Sequence, residues 1–226
     1  MNRYADILLA LLLAVFTVQA QAGIVIGGTR IIYNGDKKET SASIRNPDRS
    51  GVWLVQSWVD SGMKGSKTPF IVTPPLFRIN PGEENILRIV RTGGSLPEDR
   101  ESVFWLNVKS IPATDDSVPH NNVLQVVVKS RLKLFYRPAG LEEQPETAYH
   151  HLSVSRSGNR LTVSNPTSYY VTLFTLKVDG QEIKEADMVP PKGSVSFTLP
   201  SATASMVSWQ SISDYGGVSQ TESRKL

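Results

Sequence analysis

The sequence predicts an all-β protein built as two immunoglobulin-like β-sandwich domains in tandem. Three observations carry the prediction. Short runs rich in Val, Ile, Thr, Tyr and Trp recur along the chain, and helical periodicity is nowhere sustained. Turn residues punctuate the runs at close intervals. The pattern breaks once, at the polar stretch AGLEEQPETAYHH (139–151), and then restarts.

The chain opens with Arg3 ahead of an apolar run from Ile7 to Val18, followed by Ala20-Gln21-Ala22. A basic start, a short greasy centre and small residues at its end predict a Sec-type secretory signal peptide, residues 1–22, cut after Ala22. The run is shorter than the ~20 apolar residues that span a bilayer. An exported location follows. The remaining ~200 residues suffice for two domains of ~100, with expected bounds 23–140 and 141–226.

In the first of these, runs read as strands are GIVIGGTRIIY (23–33), TSASIRN (40–46), VWLVQSWV (52–59), PFIVT (69–73), NILRIVR (85–91), SVFWLNVKSI (102–111) and a long run after Asn121. Asn34-Gly35-Asp36, Asn46-Pro47-Asp48, Asn80-Pro81-Gly82 and Gly93-Gly94 separate them. About seven strands in ~115 residues describe an immunoglobulin-like sandwich. The 139–151 stretch reads as a linker. After it come HLSVSR, RLTVSN, YYVTLFTLKVDG, SVSFTLP and MVSWQSISDYGG, again with turn residues between them.

Composition excludes several function classes. There is no cysteine, hence no disulfide framework and no thiolate chemistry. A net charge of +3, scattered along the chain, is too mild for a nucleic-acid binder. Only His120, His150 and His151 are present, too few and too poorly spaced for an imidazole metal site, and Asp115-Asp116 lacks the calcium-loop pattern. No GxSxG, Walker or HExxH motif occurs. Neither a catalytic constellation nor a cofactor is predicted.

The stretch NNVLQVVVKSRLKLFYRP (121–138) is the most informative. Alternate residues Leu124, Val126, Val128, Ser130, Leu132, Leu134 and Tyr136 form an almost wholly apolar face, while Gln125, Val127, Lys129, Arg131 and Lys133 fall on the other. Read as one strand of about 18 residues, it far exceeds the common length of ~5–6 and would close the first domain at a sheet edge. Free edges template pairing with another chain. One reading packs the apolar face into its own domain, or breaks the run near Ser130. The other is β-strand addition, in which alternate side chains fill a partner's groove.

At these residues the sequence resembles the periplasmic chaperones of chaperone-usher pili, the PapD-like group, and most closely those of type 1 pili. The matching segments are GGTRIIYNG, VTPPLFRINPG, LPEDRESVFWLNVKSIP, NVLQVVVKSRLKLFYRPAGL, NPTSYYVTL, MVPPKGS and ISDYGG, which span nearly the whole chain after the signal. The resemblance implies two immunoglobulin-like domains set as an L or boomerang. It implies a function as well: binding, folding and capping fimbrial subunits, a tip adhesin among them, by donor-strand complementation, and delivering them to an outer-membrane usher.

It also implies roles for particular residues. Arg30 and Lys133 would bind the terminal carboxylate of the subunit, and Leu124, Val126 and Val128 would enter the subunit's open groove. Glu101, Arg137 and Asp214 would form an interdomain ion network, and Thr73-Pro74-Pro75 matches a turn whose proline is cis. The short loop between Ile111 and Asn121 places the chain with chaperones of rod-type pili. Whether the free protein self-associates through its exposed edge stays open. The alternative from another class is a carbohydrate-binding or adhesin-type sandwich, with Tyr169 and Tyr170 as stacking surfaces for sugar.

Overall fold

The computed structural model describes residues 23–63, 67–113, 125–142, 144–201 and 203–226. The signal-peptide segment, Asp115-Asp116, His120 and Leu124 lie outside the described residues. The first half of the chain carries β1 (Val25–Ile26), β2 (Arg30–Asn34), β3 (Glu39–Arg45), β4 (Trp53–Asp60), β5 (Phe70–Thr73), β6 (Leu76–Ile79), β7 (Glu84–Arg91), β8 (Ser102–Pro112) and β9 (Val128–Arg137). A short 3-10 helix, Pro145–His151, precedes β10 (Ser153–Ser157), β11 (Arg160–Asn165), β12 (Val171–Val178), β13 (Gln181–Glu182), β14 (Met188–Val189), β15 (Gly193–Thr198), β16 (Met206–Ser211) and β17 (Glu222–Lys225).

Each half closes its own core. In the first, a sheet ordered β1-β3-β7-β5 faces one ordered β2-β9-β8-β4-β6. Period-2 alternation aims Ala42 and Ile44 of β3 and Leu87 and Ile89 of β7 inward, where they meet Val55, Leu106 and Leu134 from the other sheet. In the second, β10-β11-β15 faces a sheet ordered β13-β12-β16-β17, with β14 also paired to β12. Its core holds Leu161, Val163, Leu176, Val207 and Trp209. The fold is the expected one, two β-sandwiches in sequence.

The Asn-Pro turns are built alike in both halves. Buried Asn46 donates from Nδ2 to Gly51 O (2.7 Å) and accepts the amide of Asp48 (3.1 Å). Asn165 likewise donates to Tyr169 O (2.7 Å) and accepts the amide of Thr167 (3.0 Å). An asparagine side chain here replaces backbone partners that the turn removes.

Several elements differ from expectation. GIVIGGTRIIY is not one strand: β1 pairs with β3 in one sheet and β2 with β9 in the other. The chain crosses at Gly27-Gly28, where Gly28 has φ +82° and a Cβ on Gly27 would lie 2.1 Å from Ser43 Oγ. The 139–151 linker is partly structured, because Ala148 and Tyr149 of the 3-10 helix sit in the second core and Trp209 Nε1 donates to Tyr149 O at 3.0 Å. Strands β6, β13, β14 and β17 are too short or too polar to stand out in the sequence. The peptide Thr73–Pro74 is cis.

The long run needs the largest correction. Its described strand is β9, ten residues rather than about 18, and Gln125–Val127 precede it without strand pairing. Nor is it simply an edge. From Lys133 to Arg137 it lies between β8 and β2, and the pairing with β2 is parallel. From Val128 to Leu132 it is bonded to β8 alone among the described residues. Half of the strand is internal and half is open.

Candidate client-binding edge and interdomain cleft

The geometry of the open half follows from where β2 begins. Arg30, its first residue, stands opposite Lys133 in the parallel register. Upstream of that pair β9 has, among the described residues, a free side along which another strand can continue the line of β2. The alternating apolar face changes environment at the same place. Leu132, Leu134 and Tyr136 are buried at 8%, 0% and 5% exposure, whereas Val128 is 46% and Val126 61% exposed. One stripe thus serves the protein's own core downstream and faces solvent upstream. Exposed apolar groups beside a free strand edge are the kind of surface that templates pairing with another chain.

Arg30 and Lys133 mark the end of that open edge, each engaged by the second sandwich in a different way. Arg30 Nη1 donates to Ile212 O (2.9 Å) and to Thr172 Oγ1 (3.4 Å), and its guanidinium lies 5.7 Å from the Phe135 ring centre. Its Nε is buried with no hydrogen-bond partner among the described residues. Burial lowers the Arg30 pKa from its ordinary value, against the opposing pull of the Asp214, Glu101 and Asp187 carboxylates. The cation is therefore poorly compensated. Lys133, by contrast, forms an ion pair through Nζ with Asp187.

Behind them, Arg137 at the end of β9 ties the two sandwiches together. Its Nε donates to Glu101 Oε1 (2.8 Å), and its two terminal nitrogens form a fork onto Asp214, at 2.7 and 3.0 Å. A planar guanidinium matches two carboxylates at once, which lysine could not do. Glu101, 2% exposed at its side chain, also accepts the amide of Tyr170 at 2.8 Å. Burial pushes its pKa up, and the Arg137 charge and the two hydrogen bonds only partly offset that. Arg137 is likewise desolvated, but its bonds to Asp214 and the Glu101 charge hold its pKa above the ordinary value.

Sequence reasoning missed several members of this junction. Glu101 N donates to Ser168 O (2.9 Å), Lys192 Nζ reaches Asp99 (3.0 Å), and Phe135 packs on Tyr170 with ring centres 5.6 Å apart. Asp187, paired with Lys133, is another. The only sequence signal for them was their position inside the matching segments or beside MVPPKGS. The sugar-stacking alternative loses its premise, because Tyr169 is buried at 4% exposure and Tyr170 is half-buried against Phe135. His150 lies on the 3-10 helix rather than on an extended linker and pairs through Nδ1 with Glu222.

Comparison with known proteins agrees with this architecture. Residues 23–142 match the family "Pili and flagellar-assembly chaperone, PapD N-terminal domain", and residues 147–223 match "Pili assembly chaperone PapD, C-terminal domain". The chain is 44% identical over 215 residues to the probable fimbrial chaperone LpfB of Escherichia coli O157:H7, covering 93% of each. It is 43% identical to the chaperone protein FimC of Escherichia coli K12, covering 88% of this chain and 83% of that one. Among solved structures, the SafB chaperone of Salmonella enterica, in complex with the SafA pilin, has a TM-score of 0.82 at 33% identity, covering 92% and 99% of the two chains. The periplasmic chaperone SfaE has a TM-score of 0.76 at 39% identity, covering 89% and 98%. With both sandwiches matched end to end by one family, this chain belongs to the PapD-like pilus-assembly chaperones.

Proposed function

We propose that this chaperone captures pilus subunits by lending them the open half of β9 as a missing strand, with the subunit's terminal carboxylate held at Arg30 and Lys133. The observation that carries the reading is the coincidence of three features along one edge: a side of β9 unpaired among the described residues, exposed Val126 and Val128, and the two cations where β2 begins. A client strand continuing the line of β2 would run parallel to β9 and end at Arg30. Its carboxylate there would be costly to bury unless paired and hydrogen-bonded, and two charge-assisted donors supply that pairing.

Each Val or Leu side chain seated in the subunit's groove contributes roughly 1.5–3 kcal/mol before ordering costs. Leu124 would add a third anchor. No nucleotide is needed, because the free energy of completing the subunit's fold is held back until another subunit's strand replaces the chaperone's. Capture in the periplasm after removal of residues 1–22, hand-over to an outer-membrane usher, a boundary between the sandwiches at residues 140–141 and a purely non-catalytic role belong to the same reading. Names of relatives such as SafB with its pilin and SfaE in the periplasm support it.

Co-expression with a subunit encoded beside this chain tests the anchoring. The wild type is expected to yield a one-to-one periplasmic complex, and the Arg30→Ala/Lys133→Ala double variant at least about tenfold less, since loss of a buried charge pair costs a few kcal/mol. Equal recovery from the double variant would overturn the carboxylate assignment.

A further inference from the structure

We propose that Asp187 is a built-in competitor for the client's terminal carboxylate. The inference rests on the reading of Arg30 and Lys133 given above and adds the state of that site before a client arrives. The two cations begin from unequal positions. Arg30 is held by neutral acceptors, Ile212 O and Thr172 Oγ1, and keeps a buried Nε without a partner among the described residues. Lys133, whose side chain is only 14% exposed, already has a carboxylate on its Nζ, that of Asp187. The same chemical group that the client would bring is thus supplied from within the molecule.

Asp187 is placed so that it can let go. Its backbone is fixed, since Leu173 N donates to its carbonyl at 2.7 Å just ahead of β14. Its side chain is 61% exposed, so its carboxylate can return to water without desolvation cost when displaced. An arriving carboxylate would meet Arg30 first, which no carboxylate among the described residues bonds directly, and then exchange with Asp187 on Lys133, ion for ion. The reverse exchange would cap Lys133 as a client leaves, so that the buried ammonium is not left bare at release. Asp187 comes from the second sandwich and Lys133 from the first, which puts this contact across the cleft the client enters.

The test uses the purified full chaperone and a dye-labelled synthetic peptide of alternating valine and threonine ending in a free carboxylate, together with its C-terminal amide. An exposed carboxylate paired to a cation is worth up to about 1 kcal/mol, about fivefold in affinity. Asp187→Asn is therefore expected to bind the free acid up to about fivefold more tightly than wild type. The gain should vanish in a Lys133→Ala background, which a merely structural effect of the substitution would not do. Unchanged or weaker binding by Asp187→Asn, with an unaltered melting temperature, would overturn the competitor role. Failure of the underlying reading looks different: wild type would bind acid and amide alike, or bind neither, whatever stands at position 187.

Discussion

Glu101 shows how a single buried acid can be both useful and costly. It organises Arg137 and the Tyr170 amide, yet burial raises its pKa above the ordinary 4.5. A raised carboxyl pKa means that the folded state holds the proton more tightly than the unfolded chain does. Its contribution to stability is complete below 4.5 and is lost as pH rises through the folded value. Exposed carboxylates such as Asp179, whose pKa is lowered by the Met206 and Ser205 amides, act in the opposite sense and lose stability on acidification. Comparing wild type with Glu101→Gln isolates the first effect. The melting-temperature advantage of wild type is expected to shrink as pH rises above about 4.5, and a difference that stays flat or grows would remove the assignment.

At the scale of the element, β9 has two economies on one alternating face. Downstream, Leu134 is fully buried in the first core. Upstream, Val126 and Val128 contribute little to the protein's own stability because water reaches them. Truncating Leu134 to Ala is expected to cost about 3 kcal/mol, from lost transfer energy and the cavity left behind. Charging the exposed pair, Val126→Asp with Val128→Asp, is expected to leave the melting temperature within about 2 °C, as surface substitutions do. The same double variant is expected to abolish recovery of a co-expressed subunit. Thermal melts beside pull-downs read both, and a destabilised Asp variant or one that still captures would show that the upstream face serves the chaperone itself. The alternation was legible in the sequence. Where the strand begins was not, because Val126 and Val128 carry the same strand signal whether or not hydrogen bonds form beside them.

For the whole molecule, the junction is a small set of polar bonds and a Phe135–Tyr170 ring contact between two separate cores. Arg137, Glu101 and Asp214, the Glu101–Ser168 backbone bond and the Lys192–Asp99 pair all cross it. Replacing Arg137 by Ala leaves Glu101 buried without its counter-charge, which is expected to cost about 3 kcal/mol. The loss falls on the coupling between the sandwiches as well as on either one. Differential scanning calorimetry is expected to show one transition for wild type and two for Arg137→Ala, since each half keeps its own core. A single, merely lowered transition would mean that the cores stay coupled by other contacts.

Alternation and turn chemistry are local, so the sequence by itself determined the all-β class, most of the strands, the Asn-Pro turns and the existence of an apolar face on the residues before Pro138. Family resemblance added the identities of Arg30, Lys133, Glu101, Arg137 and Asp214, which local physics leaves as ordinary surface charges. Pairing between distant segments decided the rest. Folding split GIVIGGTRIIY between two sheets, laid β2 parallel to the downstream half of β9 so that the upstream half stays open among the described residues, and brought Asp187 to Lys133 from 54 residues away. The physical reason is that a strand's open side and a cation's counter-charge depend on which chain lies beside them, and no window of sequence contains that neighbour.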